Sequence, residues 1–189
     1  MALFRTTAPA AEPVTLAEAK QHLRLDHDGE DGLIEGLIRA AREEVEAATG
    51  LALIDQTWRL TLDRVPVTGV VRIARHPVKE ILSVTVFGAD GEGFVVDPAT
   101  YRLDPHSRPA RLWFAERPLA KRVMNGVEID LAAGFGEAGP DVPDLLKRAM
   151  LALVAHWFEF RASFGADDQP VAFPSGYRRL IAPWTRGRL

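Results

Sequence analysis

The period of the hydrophobic pattern changes twice along this chain, and these two changes restrict the folds that it can adopt. Between residues 14 and 49, apolar side chains recur at the spacing of amphipathic helices. From Gln56 they alternate with polar side chains, which is the period of a half-buried strand. The helical period returns at Asp141 and continues to about Arg161. The sequence therefore predicts a group of strands inserted into a group of helices.

Capping residues mark the ends of the first two predicted helices. Thr15 and Glu18 have the spacing of a capping box, which begins a first helix that we expect to end near Leu25. A second helix is predicted over residues 30–49, because Gly50 stands where glycine commonly closes a helix. Both segments are amphipathic, so each is expected to bury one face.

The third predicted helix, over residues 141–161, is apolar around most of its circumference. A single packing face in a chain of 189 residues cannot cover that much apolar surface. The helix is therefore either central in the fold or shared with another subunit. Its candidate inter-subunit residues are Met150, Val154, Trp157 and Phe158.

The strand region contains roughly six or seven short runs separated by Pro, Gly and Asp clusters. The connections are too short for crossover helices, so the strands are expected to be antiparallel. The predicted fold class is α+β: a helical core of three long helices plus a short C-terminal helix, with an inserted small antiparallel β-sheet or sandwich. The predicted divisions are residues 1–54 for the N-terminal helical part, 55–136 for the inserted β region, 137–163 for the C-terminal long helix and 164–189 for an extended tail.

Composition excludes several classes of protein. The chain has 23 Lys and Arg residues against 26 Asp and Glu residues, so it lacks the basic excess that holds proteins on nucleic acid. The absence of cysteine excludes disulfides, thiolate metal sites and cysteine nucleophiles. The longest apolar run, Ala149 to Ala155, is seven residues, against about 20 for a membrane span. We expect a soluble protein made in the cytoplasm.

Two short motifs resemble ligand sites, and neither is complete. Residues 134–139 match the dinucleotide pattern GxGxxG, but no strand follows the next helix, and Glu137 would place negative charge beside a pyrophosphate. Residues 26–31 begin like a calcium loop, but Asp31 stands where glycine is required. We interpret both as turns. No histidine pair has helical zinc spacing, and His156 is interpreted as a core or interface residue, so no metal, cofactor or catalytic residue is predicted.

The order of the segments resembles that of the head–tail connector, or adaptor, proteins of long-tailed bacteriophages, prophages and phage-like gene transfer agents, in the branch with a β insertion. Five stretches match in order. They are Pro13 to Lys20 with His22 to Arg24, Leu33 to Gly50, Gln56 to Leu60, Ala132 to Gly136, and Val142 to Glu159. The resemblance covers nearly the whole chain.

This resemblance implies a structural protein that forms a ring, typically a dodecamer, between the portal and the stopper or tail. It implies DNA passing through the channel without sequence-specific binding, no enzymatic activity and no cofactor. The expected location is the bacterial cytoplasm during assembly and then the head–tail junction of the virion or phage-like particle.

The resemblance also implies a C-terminal segment that inserts into the portal, and here that role falls to residues 170–189. This stretch contains four arginines and no acidic residue. Its aromatic and arginine composition is typical of binding anchors. The portal-binding candidates are Phe173, Tyr177, Arg178, Arg179, Leu180, Ile181, Trp184, Arg186 and Arg188.

Residues 1–50 are acidic, with ten acids against five bases. In a ring connector, acidic side chains facing the bore would keep DNA from adhering. The channel-facing candidates are Glu35, Glu43 and Glu46.

Three alternatives remain open at the level of sequence. The first is a tail-completion or stopper protein of the same kind of particle. The second is a β-sandwich binding module with helical flanks, in which Trp58, Trp113 and Tyr101 would be surface anchors. The third is a hydrolase built around His156.

Overall fold

A computed structural model describes residues 1–160 and 173–185, which belong to two compact units. The β unit comprises residues 1–10 and 55–135, and the helical unit comprises residues 11–54 and 136–189. Among the described residues, no helix is both long enough and apolar enough to cross a membrane.

The β unit contains two antiparallel sheets. The five-stranded sheet has the order β1-β2-β8-β4-β5, and the three-stranded sheet has the order β3-β7-β6. The strands are β1 (Ala2–Thr7), β2 (Gln56–Leu62), β3 (Val70–Ile73), β4 (Val78–Phe87), β5 (Gly93–Val95), β6 (Tyr101–Asp104), β7 (Ala110–Phe114) and β8 (Val127–Ala133).

Alternation along β2 and β8 gives the larger sheet one buried apolar side and one polar side. Leu60 lies opposite Ile129 on the apolar side, and both are almost fully buried. On the polar side, the Arg59 guanidinium donates to both carboxylate oxygens of Asp130, at 2.7 and 2.8 Å. This pairing lowers the pKa of Asp130, and Ser83 donates to the same carboxylate.

The helical unit contains α1 (Leu16–Leu23), α2 (Asp31–Thr49), α3 (Asp144–Phe160) and α4 (Tyr177–Ile181). The predicted capping box is present, because Thr15 accepts from the Glu18 amide and Glu18 accepts from the Thr15 amide. Gly50 ends α2 in the left-handed conformation, as predicted. The core between α2 and α3 contains Ile34, Ile38, Val45, Leu146, Met150 and Leu153, all buried. Burial of each such side chain stabilises the fold by about 1.5–3 kcal/mol.

A buried ionic network joins three segments of the helical unit. Arg42, on α2, donates to Glu12 at 2.8 Å and to Glu46 at 3.1 Å. The other carboxylate oxygen of Glu46 accepts from the backbone amide of Leu53. The network therefore fixes the segments before α1 and after α2 to the middle of α2.

The predicted fold class, a core of three long helices with a small inserted sheet, is wrong. The first helix has only eight residues, because Arg24 adopts a left-handed conformation that closes it early. Eight strands in two sheets form a compact unit of their own, so the β part is not a small insertion.

The first strand, β1, was not predicted. Its residues have no clear apolar alternation, and most of them are exposed. It exists because it pairs with β2, 50 to 59 residues further along the chain. A local pattern cannot reveal a pairing of that kind.

Candidate functional site

The tail candidates on α4 divide into buried and exposed side chains. Tyr177 and Ile181 are 2% and 4% exposed, and α4 packs on α3. The Phe173 ring stacks on that of Tyr177, with centroids 5.1 Å apart. Burial, with a smaller contribution from Glu44, raises the pKa of Tyr177 to about 12. These contacts hold the short helix on the protein's own helical unit.

The outer side of α4 presents the cationic candidates. Arg178 and Arg179 are exposed, and Leu180 and Trp184 are half-buried. Phe173 is 41% exposed despite its stacking contact. The remaining portal-binding candidates, Arg186 and Arg188, lie outside the described residues, as do residues 164–172 of the predicted tail.

The inter-subunit candidates on α3 also divide. Met150 and Val154 are fully buried within the helical unit. Trp157 and Phe158 are half-buried near the end of the helix. His156 lies beside the ring of Phe160, at 4.6 Å between centroids. Of these four candidates, Trp157 and Phe158 are therefore the two that present apolar surface for a further contact.

The channel-facing candidates on α2 have different surroundings. Glu35 and Glu43 are exposed, and Arg39 is exposed between them along the helix. Glu46 is 4% exposed and bonded to Arg42. Its carboxylate therefore belongs to the interior network rather than to the surface.

The two incomplete ligand motifs are structural turns. A side chain at Gly134 would collide with the backbone of Asp55, and one at Gly136 with the side chain of Asp141. Lys20 pairs with Asp28 at 2.5 Å and with Asp31 at 2.8 Å, so a lysine holds two carboxylates of the calcium-like motif. Within residues 1–160 and 173–185, no cluster of His, Asp and Glu has the arrangement of a metal site.

The proposed anchors of a β binding module do not form one surface. Trp58 is 7% exposed, and the Arg75 guanidinium lies 3.9 Å above its ring. Tyr101 is half-buried against Phe114. Trp113 alone of the three is openly exposed, at 46%.

Trp113 belongs to a surface whose residues could not be grouped from the sequence. On one side of the three-stranded sheet, two adjacent cross-strand rows bring together arginines from three strands. We name this surface the arginine face; its residues are Val70, Arg72, Arg102, Asp104, Arg111 and Trp113. The signal in the sequence is alternation alone, since Arg111 and Trp113 flank the buried Leu112. The strand pairing needed to group them was not predictable.

An exposed apolar patch lies elsewhere on the β unit. The edge strand β5 exposes Phe94 and Val95, and a groove beside Phe94 is also lined by Leu119. Val123 and Met124, on the same loop as Leu119, are about 70% exposed. Apolar patches of this kind are typical of surfaces that become covered in an assembly.

Comparison with known proteins finds one family model and several similar solved structures. A family model described as a phage gp6-like head–tail connector protein matches residues 13–85. A chain in the neck of an empty gene transfer agent (GTA) particle, computed with C6 symmetry, is 30% identical with a TM-score of 0.85. A chain in the virion of the native GTA particle is 30% identical with a TM-score of 0.83. A chain in the neck of the native particle, computed with C12 symmetry, is 29% identical with a TM-score of 0.81.

Each of these three alignments covers 100% of this chain and 97% of the other chain. No curated protein sequence matches the chain. The likeness extends over both units, the β unit as well as the helical unit that contains most of the family-model match. The chain therefore belongs to the phage gp6-like head–tail connector family and is a structural connector protein of that class.

Proposed function

We propose that this protein is a ring subunit at the head–tail junction of a phage-like particle, bound to the portal on one side and to the stopper or tail on the other, with DNA passing through the ring. The observation that supports this most strongly is the full-length likeness to a chain in a GTA neck. The C6 and C12 symmetries of the similar neck structures support a ring, and twelve copies satisfy both.

The C-terminal segment is proposed to bind the portal through the exposed side of α4. Burial of Tyr177 and Ile181 holds α4 in place, which leaves Arg178 and Arg179 free to meet an acidic partner. Arginine forms bidentate hydrogen bonds with carboxylates, so two adjacent arginines suit such a surface. Residues 164–172, Arg186 and Arg188 are proposed to extend the same contact.

The portal contact can be tested by native mass spectrometry of the full chain mixed with the portal protein of the same particle. We expect Arg178→Glu/Arg179→Glu to lower portal binding at least tenfold, because charge reversal converts attraction into repulsion. The matched control is Arg148→Glu/Arg39→Glu, which reverses two exposed arginines of the same unit. Equal binding by both variants would remove α4 from the contact. A wild-type chain that does not bind the portal would overturn the proposed portal contact.

The exposed acids of α2 are proposed to face the bore. Glu35 and Glu43 are exposed, although Glu43 also lies 3.6 Å from the Arg42 guanidinium, whereas Glu46 is buried with Arg42. Negative charge at the bore would reduce adhesion of passing DNA. We expect particles containing Glu35→Lys/Glu43→Lys to retain more DNA after release, measured as the fraction of full particles. An unchanged fraction would assign these residues to another surface.

A further inference from the structure

The arginine face of the β unit carries three arginines but only one acidic residue, so its charge is net positive. Arg111 donates to Asp104 at 2.6 Å, which accounts for the one carboxylate on the face. Arg72 and Arg102 form no ion pair within residues 1–160 and 173–185. Arg72 stands directly opposite Arg111 in the sheet register. Like charges placed opposite each other on a sheet are destabilising, so an anionic partner would stabilise this arrangement.

The same face combines this charge with an exposed aromatic side chain. Trp113 stands directly opposite Arg102 on β6 and Val70 on β3. An open groove beside Arg72 and Arg111 adds a concave border. Tryptophan and arginine are the residues most enriched at energetically dominant positions of protein interfaces. The chemistry fits a protein surface that offers carboxylates around an apolar contact.

We infer that the arginine face binds the acidic helical unit of a neighbouring copy of this chain in the ring. This inference rests on the proposed function, because it requires copies repeated around an axis. A cyclic ring is built from heterologous contacts, in which one patch of a subunit meets a different patch of the next. The arginine face and the helical unit would be those two patches.

Charge complementarity supports this choice of partner. The β unit contains 12 basic and 10 acidic residues, a net charge of +2, whereas the helical unit contains 11 basic and 16 acidic residues, a net charge of −5. Head-to-tail contact between copies therefore joins opposite charges at every step around the ring. A DNA partner fits less well, since a net charge of +2 is far from the basic excess of a DNA-binding domain.

Photo-crosslinking within assembled particles tests the inference. Benzoylphenylalanine is introduced in place of Trp113, and separately in place of Arg102 so that the test does not depend on one substitution. The expected product is a covalent dimer of this chain, with the crosslink in a peptide from residues 11–54 or 136–160. A crosslink to DNA, to another neck protein or to the β unit would overturn the inference, as would no crosslink in particles that contain the chain. Absence of the wild-type chain from particles would instead overturn the proposed function, and the inference with it.

Charge reversal supplies a second, independent readout. We expect Arg72→Glu/Arg102→Glu to reduce the amount of chain in purified particles by at least about tenfold, because like charges brought together at an interface are costly. The matched control, Arg64→Glu/Arg117→Glu, reverses two exposed arginines of the same unit outside the face and should assemble normally. When co-expressed with wild type, the face variant should also lower wild-type assembly, since each variant copy can form only one of its two contacts in the ring. Normal assembly of the face variant would overturn the inference.

Discussion

The Arg42 guanidinium donates to the Glu46 carboxylate at 3.1 Å inside the helical unit, where the two side chains are only 4% and 6% exposed. Glu12 supplies a second carboxylate at 2.8 Å. A cation enclosed in this way is stable only while its partners remain, because an unpaired buried charge is strongly unfavourable.

Replacing Arg42 with methionine should therefore destabilise the protein severely. Arg42→Met leaves the buried carboxylate of Glu46 without its cation, and we expect a loss of about 3–5 kcal/mol in the free energy of unfolding. Urea denaturation followed by circular dichroism measures the change. Arg39→Met, an exposed arginine on the same helix, should cost less than about 0.5 kcal/mol. A similar loss in the free energy of unfolding for both variants would mean that the buried network contributes no more to stability than an exposed arginine does.

Acid should weaken the β unit through the pair formed by Arg59 and Asp130. The hydrogen bonds from Arg59 lower the pKa of Asp130 below its usual 3.8, so the folded protein holds this carboxylate ionised more firmly than the unfolded chain does. The stabilisation is complete above pH 3.8 and is lost as the pH falls through the lowered value. Because the pair is partly solvated, we expect Asp130→Asn to cost about 0.5–1 kcal/mol at pH 7.

The pH dependence separates this electrostatic effect from a packing defect. Thermal unfolding of wild type and Asp130→Asn should differ at pH 7 and converge as the pH falls through the lowered pKa of Asp130, because the carboxylate then becomes protonated in the folded as well as the unfolded wild-type protein. Asp90→Asn is a suitable control, since Asp90 is exposed and lies in a turn of the same unit. A gap between wild type and Asp130→Asn that stays constant with pH would contradict the prediction.

Local signals predicted those parts of the fold that local interactions determine. The capping box at Thr15 and Glu18, the glycine at the end of α2 and the alternation from Gln56 all require neighbours within a few residues. The strand β1 depends on pairing with distant residues, so its sequence contains too little information to identify it.

The difference between local and long-range interactions also explains why some candidate site residues are buried rather than exposed. The acidic run on α2 does not indicate that Glu46 is buried beside Arg42. The network that encloses the two side chains also needs Glu12 and the Leu53 amide, which come from other segments of the chain. Tyr177 and Ile181 have the composition of anchors, but the surface that buries them belongs to another helix. The order of charged residues within one helix or strand can be read from the sequence, but their burial by other segments cannot.

Burial of Ile181 predicts that packing and partner binding on α4 can be separated. Ile181→Ala removes apolar contacts at a position that is 4% exposed, so we expect α4 to lose roughly 2–3 kcal/mol of local stability. Hydrogen–deuterium exchange should speed up in residues 177–181 by at least tenfold while α2 remains protected. Arg178→Glu/Arg179→Glu should leave the exchange rate of α4 unchanged. Faster exchange in the arginine variant would mean that those side chains support the helix rather than a partner.

Gly134 offers a last test, because the dinucleotide and turn interpretations of residues 134–139 give opposite expectations. A methyl group at this position would meet the backbone of Asp55, and the Gly134 amide already donates to Pro77 at 3.0 Å. Gly134→Ala should therefore lower the free energy of unfolding by about 1–3 kcal/mol through overpacking. Neither NADH nor ATP should raise the melting temperature of the wild-type protein.

Gly91→Ala is the control, because an added methyl group there meets nothing within 4 Å but the backbone has φ +87°. This variant should cost about 1 kcal/mol through conformation alone. A stable Gly134→Ala variant would contradict the close approach of the two strand ends, and a nucleotide-dependent rise in melting temperature would show that the glycines serve a ligand.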